Sequence, residues 1–393
     1  MCSNNCKTVL RNKNICADNY LQYSLFVSCS SGKRLILRVN IRNKGNLQMD
    51  EKNIKGLTLP ELENWVAEIG ESPFRAKQIY RWMYQRGVRS FEEMSDLSKS
   101  LRNKLAQMAS VSMLQIDTRF RSKTDQSVKY LFRLSDGNAV EAVYMVEGKR
   151  ITLCLSTMVG CPVGCAYCAT GIMGFKRNLT AGEIVDQLLL IQQDQQKKAT
   201  NIVFMGMGEP FLNYDNVIKA ASILNSELGQ EIAARRIIIS TAGIIPAIHR
   251  FADEGHRFKL AISLNASTDA QRDELVPVNL KHPLWELMAA VKYYTDRSKR
   301  RVTFEYILIK DFNDTPQDAR RLIKMLGQIP CKLNIIPYNQ NEFLLYKTPS
   351  EDKLNNFLKD LYQAPFAVTV RRSKGLDIAA ACGQLYIRDK SKI

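Results

Sequence analysis

Histidine is scarce in this sequence: His249, His256 and His282 are the only three in 393 residues. None lies within 80 residues of the densest cysteine run, which weakens any zinc site built from mixed cysteine and histidine ligands. Long apolar runs are missing too. No stretch reaches 18 residues, so no membrane span is expected, and the segment 20–29 is too short and too polar for a signal peptide. Heptads, repeats and low-complexity tracts are absent, which excludes coiled coils and solenoids. Acidic residues are outnumbered, 39 Asp+Glu against 56 Lys+Arg, giving a formal net charge of +17 and a sequence pI of ≈ 9.4. Such a balance favours a polyanionic partner and says nothing about fold.

What the chain has in unusual density is cysteine at close spacing. Cys161-Pro-Val-Gly-Cys165-Ala-Tyr-Cys168 places three thiols within eight residues. Three thiolates are one short of closing a [4Fe–4S] cluster, which normally takes four. One iron is then left open, and an open position separates a catalytic metal site from a closed structural one. A zinc site or a run of buried thiols is the alternative. Ten cysteines in all, three of them in this motif, point to a reducing cytoplasm rather than a disulfide framework.

The C-x3-C-x2-C spacing with Tyr167 before the last cysteine resembles the radical S-adenosylmethionine (SAM) motif. Two further cysteines narrow the resemblance: Cys154 in Thr152-Leu-Cys-Leu-Ser-Thr, and Cys382 in Gly375-Leu-Asp-Ile-Ala-Ala-Ala-Cys-Gly-Gln-Leu. With Met205-Gly-Met-Gly-Glu-Pro210 between them, the chain from about Leu57 to Leu385 resembles the RlmN/Cfr family of RNA methyltransferases, which methylate adenine carbons. The resemblance implies two SAM molecules per turnover at a [4Fe–4S] cluster held by Cys161, Cys165 and Cys168. It implies that Cys382 carries the methyl group as S-methylcysteine. Cys154 would resolve the protein–RNA adduct through a transient disulfide. Without the resemblance, both lone cysteines read as buried core residues, a common place for free cysteine.

The same resemblance assigns the proton acceptor to Glu141, in Ser135-Asp-Gly-Asn-Ala-Val-Glu-Ala-Val-Tyr-Met. Asp136-Gly137 between two alternating apolar runs, 128–134 and 140–145, is a hairpin signal with Glu141 on its second strand. SAM contacts are implied at Gly208, Glu209, Ser240, Ser263, Leu264, Asn265 and Asn339. Asn265 stands where relatives often carry histidine, so the side chain there is not expected to be essential. Any of these could also be an ordinary turn residue.

The chain reads as four parts. Residues 1–48 carry four cysteines, eight Lys/Arg, one Asp and no Glu. They are expected to be an atypical extension, either preceding a true start at Met49 or forming a disordered RNA-binding arm. Residues 49–120 read as a small helical accessory domain that docks RNA, with helices over 59–66, 74–83 and 91–105. In the middle helix Ile79, Trp82 and Met83 share one face, and Arg75, Lys77, Arg81 and Arg86 are spread over the rest. Residues 121–150 are a β-hairpin linker. From residue 151 to 393, strands near 151–155, 201–205, 236–240, 258–263, 302–308, 332–337 and 366–370 alternate with helices. One of these, 181–195, opens on a Thr180–Glu183 capping box. This predicts an α/β fold, a partial TIM-like radical SAM barrel with its site at the C-terminal strand ends.

The expected activity is therefore adenine-C2 methylation of 23S rRNA and of tRNA beside the anticodon, with an electron-donating reductase such as flavodoxin as partner. The alternatives are a C8 (Cfr-type) methyltransferase and a non-catalytic iron–sulfur RNA-binding protein. Gly208-Glu209-Pro210 and Pro330-Cys-Lys-Leu-Asn-Ile-Ile-Pro resemble the C2 enzymes. For the extension, mass spectrometry of the native N-terminus is expected to find no peptide beginning before Met49; one that does overturns the later start.

Overall fold

The computed structural model describes residues 7–16, 20–28, 34–41, 47–49, 52–111 and 114–387, with backbone alone up to residue 49. The chain divides into two compact units, residues 1–54 with 88–112, and residues 55–87 with 113–393.

In the smaller unit, Lys7–Cys16, Tyr20–Ser28, Arg34–Ile41 and Leu47–Met49 form an antiparallel meander in sequence order. Over its described residues the extension expected at 1–48 therefore has strand backbone, where a disordered arm was one of the two expectations. The helix expected over 91–105 is shorter and later, Lys99–Met108. Ser98 caps it, accepting from the Leu101 N–H at 3.2 Å. Upstream, the Glu93 carboxylate accepts from the N–H groups of Arg89 and Ser90, and that pairing holds turns rather than a helix.

The larger unit opens with helices Leu59–Glu68 and Pro73–Arg81, the second running into a π-helical turn Trp82–Arg86 that ends at Gly87. Ile79, Trp82 and Met83 are all buried, as the pattern required. Thr58 and Glu61 close a capping box on the first helix. The accessory segment expected as one domain over 49–120 is thus shared between the two units, because these two helices pack on the barrel. Gly56 and Gly182 allow that packing: a Cβ on either would fall on the other's backbone. Beside them Lys55 Nζ pairs with Asp186 Oδ1 at 2.7 Å, both side chains being 1% exposed. Asp186 also accepts from the Leu114 N–H at 2.9 Å.

One ten-stranded sheet organises the unit. Seven parallel strands form the barrel: Arg150–Cys154, Asn201–Phe204, Ile237–Thr241, Lys259–Ser263, Val302–Leu308, Cys331–Pro337 and Ala367–Val370. All seven stand where the apolar runs predicted them. The first and seventh do not pair, so the barrel is open. Antiparallel strands Ala139–Glu147, Val128–Leu134 and Leu114–Arg121 continue the sheet from the first barrel strand. The hairpin is therefore no separate linker: its second strand occupies the edge that barrel closure would need. Its turn is the expected one, with Gly137 at φ +82°.

Lys55→Met should lower unfolding stability by about 3 kcal/mol, because it leaves Asp186 as an uncompensated buried charge. A midpoint in a urea titration unchanged from the parent protein would show the pair to be dispensable.

Candidate active site

The cysteine motif forms the loop between two short antiparallel strands, Met158–Gly160 and Phe175–Asn178. Backbone bonds fix its course: Cys161 N–H to Gly174 O at 2.9 Å, Ala166 N–H to Leu275 O at 3.0 Å, and Cys168 N–H to Cys165 O at 3.1 Å. Val163 and Tyr167 anchor the loop in an apolar cluster with Leu275, Val276, Ile307 and Ile336, and the three cysteines pack against it. Burial, then the charges of Glu209 and Cys168, push Cys161 up to about 12; burial likewise raises Cys165, with its two motif neighbours, and Cys168, with Cys382. Three thiolates side by side therefore need a strongly positive partner. Among the described residues, no three Cys, His, Asp or Glu side chains converge on a single metal ion. The donors are all soft sulfur and are spaced around a cavity. They fit a thiolate-held iron–sulfur cluster and not a lone zinc ion.

That cavity, of ≈ 840 Å³, collects residues from nearly every barrel strand. Cys154, Cys161, Cys165, Cys168, Gly208, Glu209, Ser240, Ser263, Asn265 and Cys382 all line it. After the second barrel strand, Gly208 sits at φ +105°, and a Cβ there would collide with Met158. The turn aims Glu209 inward, where its carboxylate accepts from the N–H groups of Phe211 at 2.9 Å and Ala242 at 2.7 Å. Burial carries its pKa up to about 7 despite those bonds. A cationic amino group is the natural partner for such a carboxylate. Ser240 and Ser263, at the ends of the third and fourth strands, bring their Oγ atoms to 3.4 Å.

Three other residues from the SAM and base assignments sit differently. Leu264 is fully buried and does not line the cavity; its N–H donates to Glu305 O at 2.9 Å. Asn339 is also outside the lining and donates through Nδ2 to Cys382 O at 3.1 Å. Glu141 lies behind the Cys382 segment: Oε1 pairs with Lys129 Nζ at 3.0 Å, and Oε2 accepts from the Tyr386 N–H at 3.0 Å. Burial raises its pKa while Lys129 holds it down. Asn265 lines the cavity in a left-handed conformation, φ 59°. Its amide is fully engaged, donating to Tyr167 OH at 2.8 Å and accepting from the Ile307 N–H at 3.0 Å.

The two lone cysteines, 228 positions apart, line the same cavity as free thiols. They are near enough for their charges to repel; burial is the larger cause that pushes Cys154 up to about 12, and Arg371 opposes both. The Cys382 segment is strapped down on both sides. Asp377 accepts from Ser122 Oγ at 2.8 Å and the Lys123 N–H at 2.7 Å. The cluster loop holds the other end through Ala169 N–H to Gly383 O at 2.7 Å and Thr170 Oγ1 to Leu385 O at 2.7 Å.

Sequence reading missed Lys129, Glu305 and Arg371. Glu305 was the most findable, as a lone charge inside the apolar strand Val-Thr-Phe-Glu-Tyr-Ile-Leu. Period-2 alternation puts it on the same face as Thr303 and Ile307, facing the barrel interior.

This architecture is that of a radical SAM enzyme, and the Radical SAM superfamily model matches residues 155–325. A model for the ribosomal RNA large subunit methyltransferase N-terminal domain matches residues 52–111. A probable dual-specificity RNA methyltransferase RlmN from Thermoanaerobacter sp. (strain X514) is 46% identical over 341 residues, covering 86% of this chain and 99% of its own. The dual-specificity RNA methyltransferase RlmN 2 of Myxococcus xanthus (strain DK1622) is 47% identical over 349 residues, 86% and 92% of the two chains. Among solved structures, a radical SAM methyltransferase from Sphaerobacter thermophilus superposes with a TM-score of 0.82 at 42% identity, over 85% of this chain and 99% of that one. The chain belongs to the RlmN family of radical SAM RNA methyltransferases.

Replacing Cys161, Cys165 or Cys168 with alanine should abolish cluster loading and activity together, since two thiolates cannot fix the geometry that three do. Iron and sulfide analysis with the visible absorption spectrum checks this. A variant that holds a full cluster removes that cysteine from the ligand set.

Proposed function

We propose that this enzyme methylates C2 of an adenine in the peptidyl-transferase centre of 23S rRNA, and C2 of an adenine beside the anticodon of tRNA. The observation that carries the reading is the meeting of Cys154 and Cys382 in the cavity lined by the three motif cysteines. An RNA methyltransferase working on a nucleophilic nitrogen or oxygen has no use for two extra thiols there. A ring carbon such as C2 has no lone pair with which to attack the methyl of SAM, so a carbon radical must be delivered to it.

The cluster and SAM, when bound, supply a methyl group to sulfur and a radical that abstracts hydrogen. Cys382 takes the methyl group by displacement at its thiolate. Loss of a hydrogen atom from that S-methyl leaves a carbon radical, which adds to the ring and joins protein to RNA covalently. Glu141 is the proton acceptor for the ring hydrogen, and the one electron left over on the ring would return to the cluster, so that the adduct becomes a closed-shell thioether. Its burial and raised pKa support that role. Its carboxylate binds the Tyr386 N–H, so access to the base requires the Cys382 segment to shift. The Cys154 thiolate then attacks the Cys382 sulfur, the sulfur–carbon bond breaks with its electron pair going to the methylene carbon, that carbon takes a proton to become the methyl group, and the two sulfurs are left as a disulfide. Restoring both thiols takes two electrons, and the radical step takes one at a time. An electron-donating reductase such as flavodoxin, in the cytoplasm, fits both needs. Among the described residues no helix is long and apolar enough to cross a membrane. The +17 charge suits the RNA partners.

The two lone cysteines should fail differently. Cys382→Ala should keep the cluster and form no adduct with RNA. Cys154→Ala should still methylate Cys382 and add to adenine, then stall, accumulating a covalent protein–RNA species. Denaturing gels with and without ribonuclease read this directly. A folded, cluster-loaded Cys154→Ala protein without an RNase-sensitive band rejects Cys154 as the resolving thiol. Deleting the gene should remove 2-methyladenosine from both rRNA and tRNA nucleosides. Its retention in both pools rejects the C2 assignment.

A further inference from the structure

The barrel interior carries polar side chains that the steps above leave unused. Glu305, 6% exposed, comes from the middle of the fifth barrel strand. Its Oε1 accepts from Asn334 Nδ2 at 2.9 Å, and Asn334 Oδ1 in turn accepts from Thr369 Oγ1 at 2.5 Å. Its Oε2 is buried with no hydrogen-bond partner. Arg371 follows the seventh strand. Its backbone N–H is bound to Ile335 O at 2.8 Å, but its guanidinium reaches only Met205 Sδ, at 3.7 Å, and has no carboxylate within ion-pair distance among the described residues. Glu305, Asn334, Thr369 and Arg371 line the same cavity as Cys154 and Cys382. Strand register aligns Glu305 with Asn334 and Asn334 with Thr369, and Arg371 stands two residues beyond Thr369 on the same face, where it feels the charges of Cys382, Glu305, Cys154 and Glu147.

A buried carboxylate oxygen without a partner is destabilising, and native structures keep few of them. A guanidinium with idle donors beside it makes the pairing more telling: one acceptor and one donor group face the same space without bonding each other. An adenine edge has the matching pattern, an exocyclic amino group that donates beside a ring nitrogen that accepts. Guanine would turn its carbonyl oxygen toward the carboxylate and be repelled.

We propose that Glu305 Oε2 and the Arg371 guanidinium form the target-base subsite, the carboxylate accepting from the 6-amino group of the adenine and the guanidinium donating to an adjacent ring nitrogen. The subsite rests on the reading of adenine as the methylated base. SAM offers the same adenine edge. The pair is assigned to RNA because it neighbours Cys382 and Cys154, which act on the RNA base. The groups suited to the amino-acid end of SAM, Glu209 with Ser240 and Ser263, sit on other strands. Removing a base from its stack also calls for a pocket that reads its polar edge.

The test uses RNA fragments that carry either adenine or unsubstituted purine, which lacks only the 6-amino group, at the target position. Wild-type and Glu305→Gln holoenzymes are compared by kcat/KM on both RNAs. Methylation of Cys382 is followed in the same samples by intact-protein mass as a function of SAM concentration. The wild type should prefer adenine by ~10²-fold, the upper end of what a two-bond contact to a base edge supplies. In Glu305→Gln, Asn334 keeps the amide oxygen and the new NH2 group faces the adenine amino group. The preference should therefore fall to about threefold or less. Because the preference is a ratio within one protein, a partly misfolded variant does not distort it. A Glu305→Gln enzyme that keeps the ~10²-fold preference overturns the subsite. So does one whose requirement for SAM in Cys382 methylation rises as steeply as its RNA activity falls, since Glu305 then serves SAM. Equal wild-type rates on the two RNAs overturn it as well. Wild-type enzyme that methylates Cys382 but leaves both RNAs unmodified overturns the functional reading itself, and the subsite with it.

Discussion

Two sulfurs far apart in sequence, Cys154 and Cys382, line one cavity, and the hydrogen bonds that pin the Cys382 segment are what bring this about. Cys154 ends a barrel strand and is fixed by the sheet. Cys382 lies beyond the last strand, in a stretch whose regular structure is one short 3-10 turn, Leu376–Ile378. Side-chain and backbone bonds from the hairpin, the cluster loop and Asn339 do the work that a strand ladder does elsewhere. Each is worth about 1 kcal/mol net. Together they confine a segment that local propensity alone would leave free.

The electrostatics of the cavity follow from the same crowding. Five thiols and the buried carboxylates of Glu209 and Glu305 line one space. Burial raises every one of these groups for which a shift is resolved, so each gains from a cation or a hydrogen-bond donor placed against it. Positive charge comes from Arg371, from Arg150, Lys332, Arg372 and Lys374, which also line the cavity, and from whatever binds. Cofactor binding is therefore coupled to deprotonation of the cysteines that receive it, as for metal sites in general.

Much of this was legible in the sequence. All seven barrel strands were visible because each is a short apolar run between turn signals, and Asp136-Gly137 announced its hairpin. The cysteine motif is local and its spacing located it; the Gly-Glu-Pro segment is local too and was found by resemblance. What was hidden depended on contacts across the chain. The start of the helix at Lys99 was decided by Glu93 binding upstream N–H groups, which composition does not reveal. Asn265 and Asn339 were singled out as SAM contacts; that their amides also bind Tyr167, Ile307 and Cys382 depends on partners far away in sequence. The continuity of hairpin and barrel was missed because a hairpin's own pattern does not say which neighbour its outer strand will join.

The open side of the barrel gives the active site a mechanical property. Cys154 stands at the end of the first barrel strand, and Cys382 is carried on chain that follows the seventh. These are the two strands that do not bond to each other. The Cys382 segment crosses that gap: Asp377 is held by Ser122 and Lys123 where the outer hairpin strand ends, and Tyr386 by Glu141, all on the first strand's side. Chain arriving from the seventh strand is thus moored to the sheet beside the first, by side-chain bonds where no ladder joins the two. In the proposed mechanism those moorings, and not the barrel ladder, are what must give when the segment shifts.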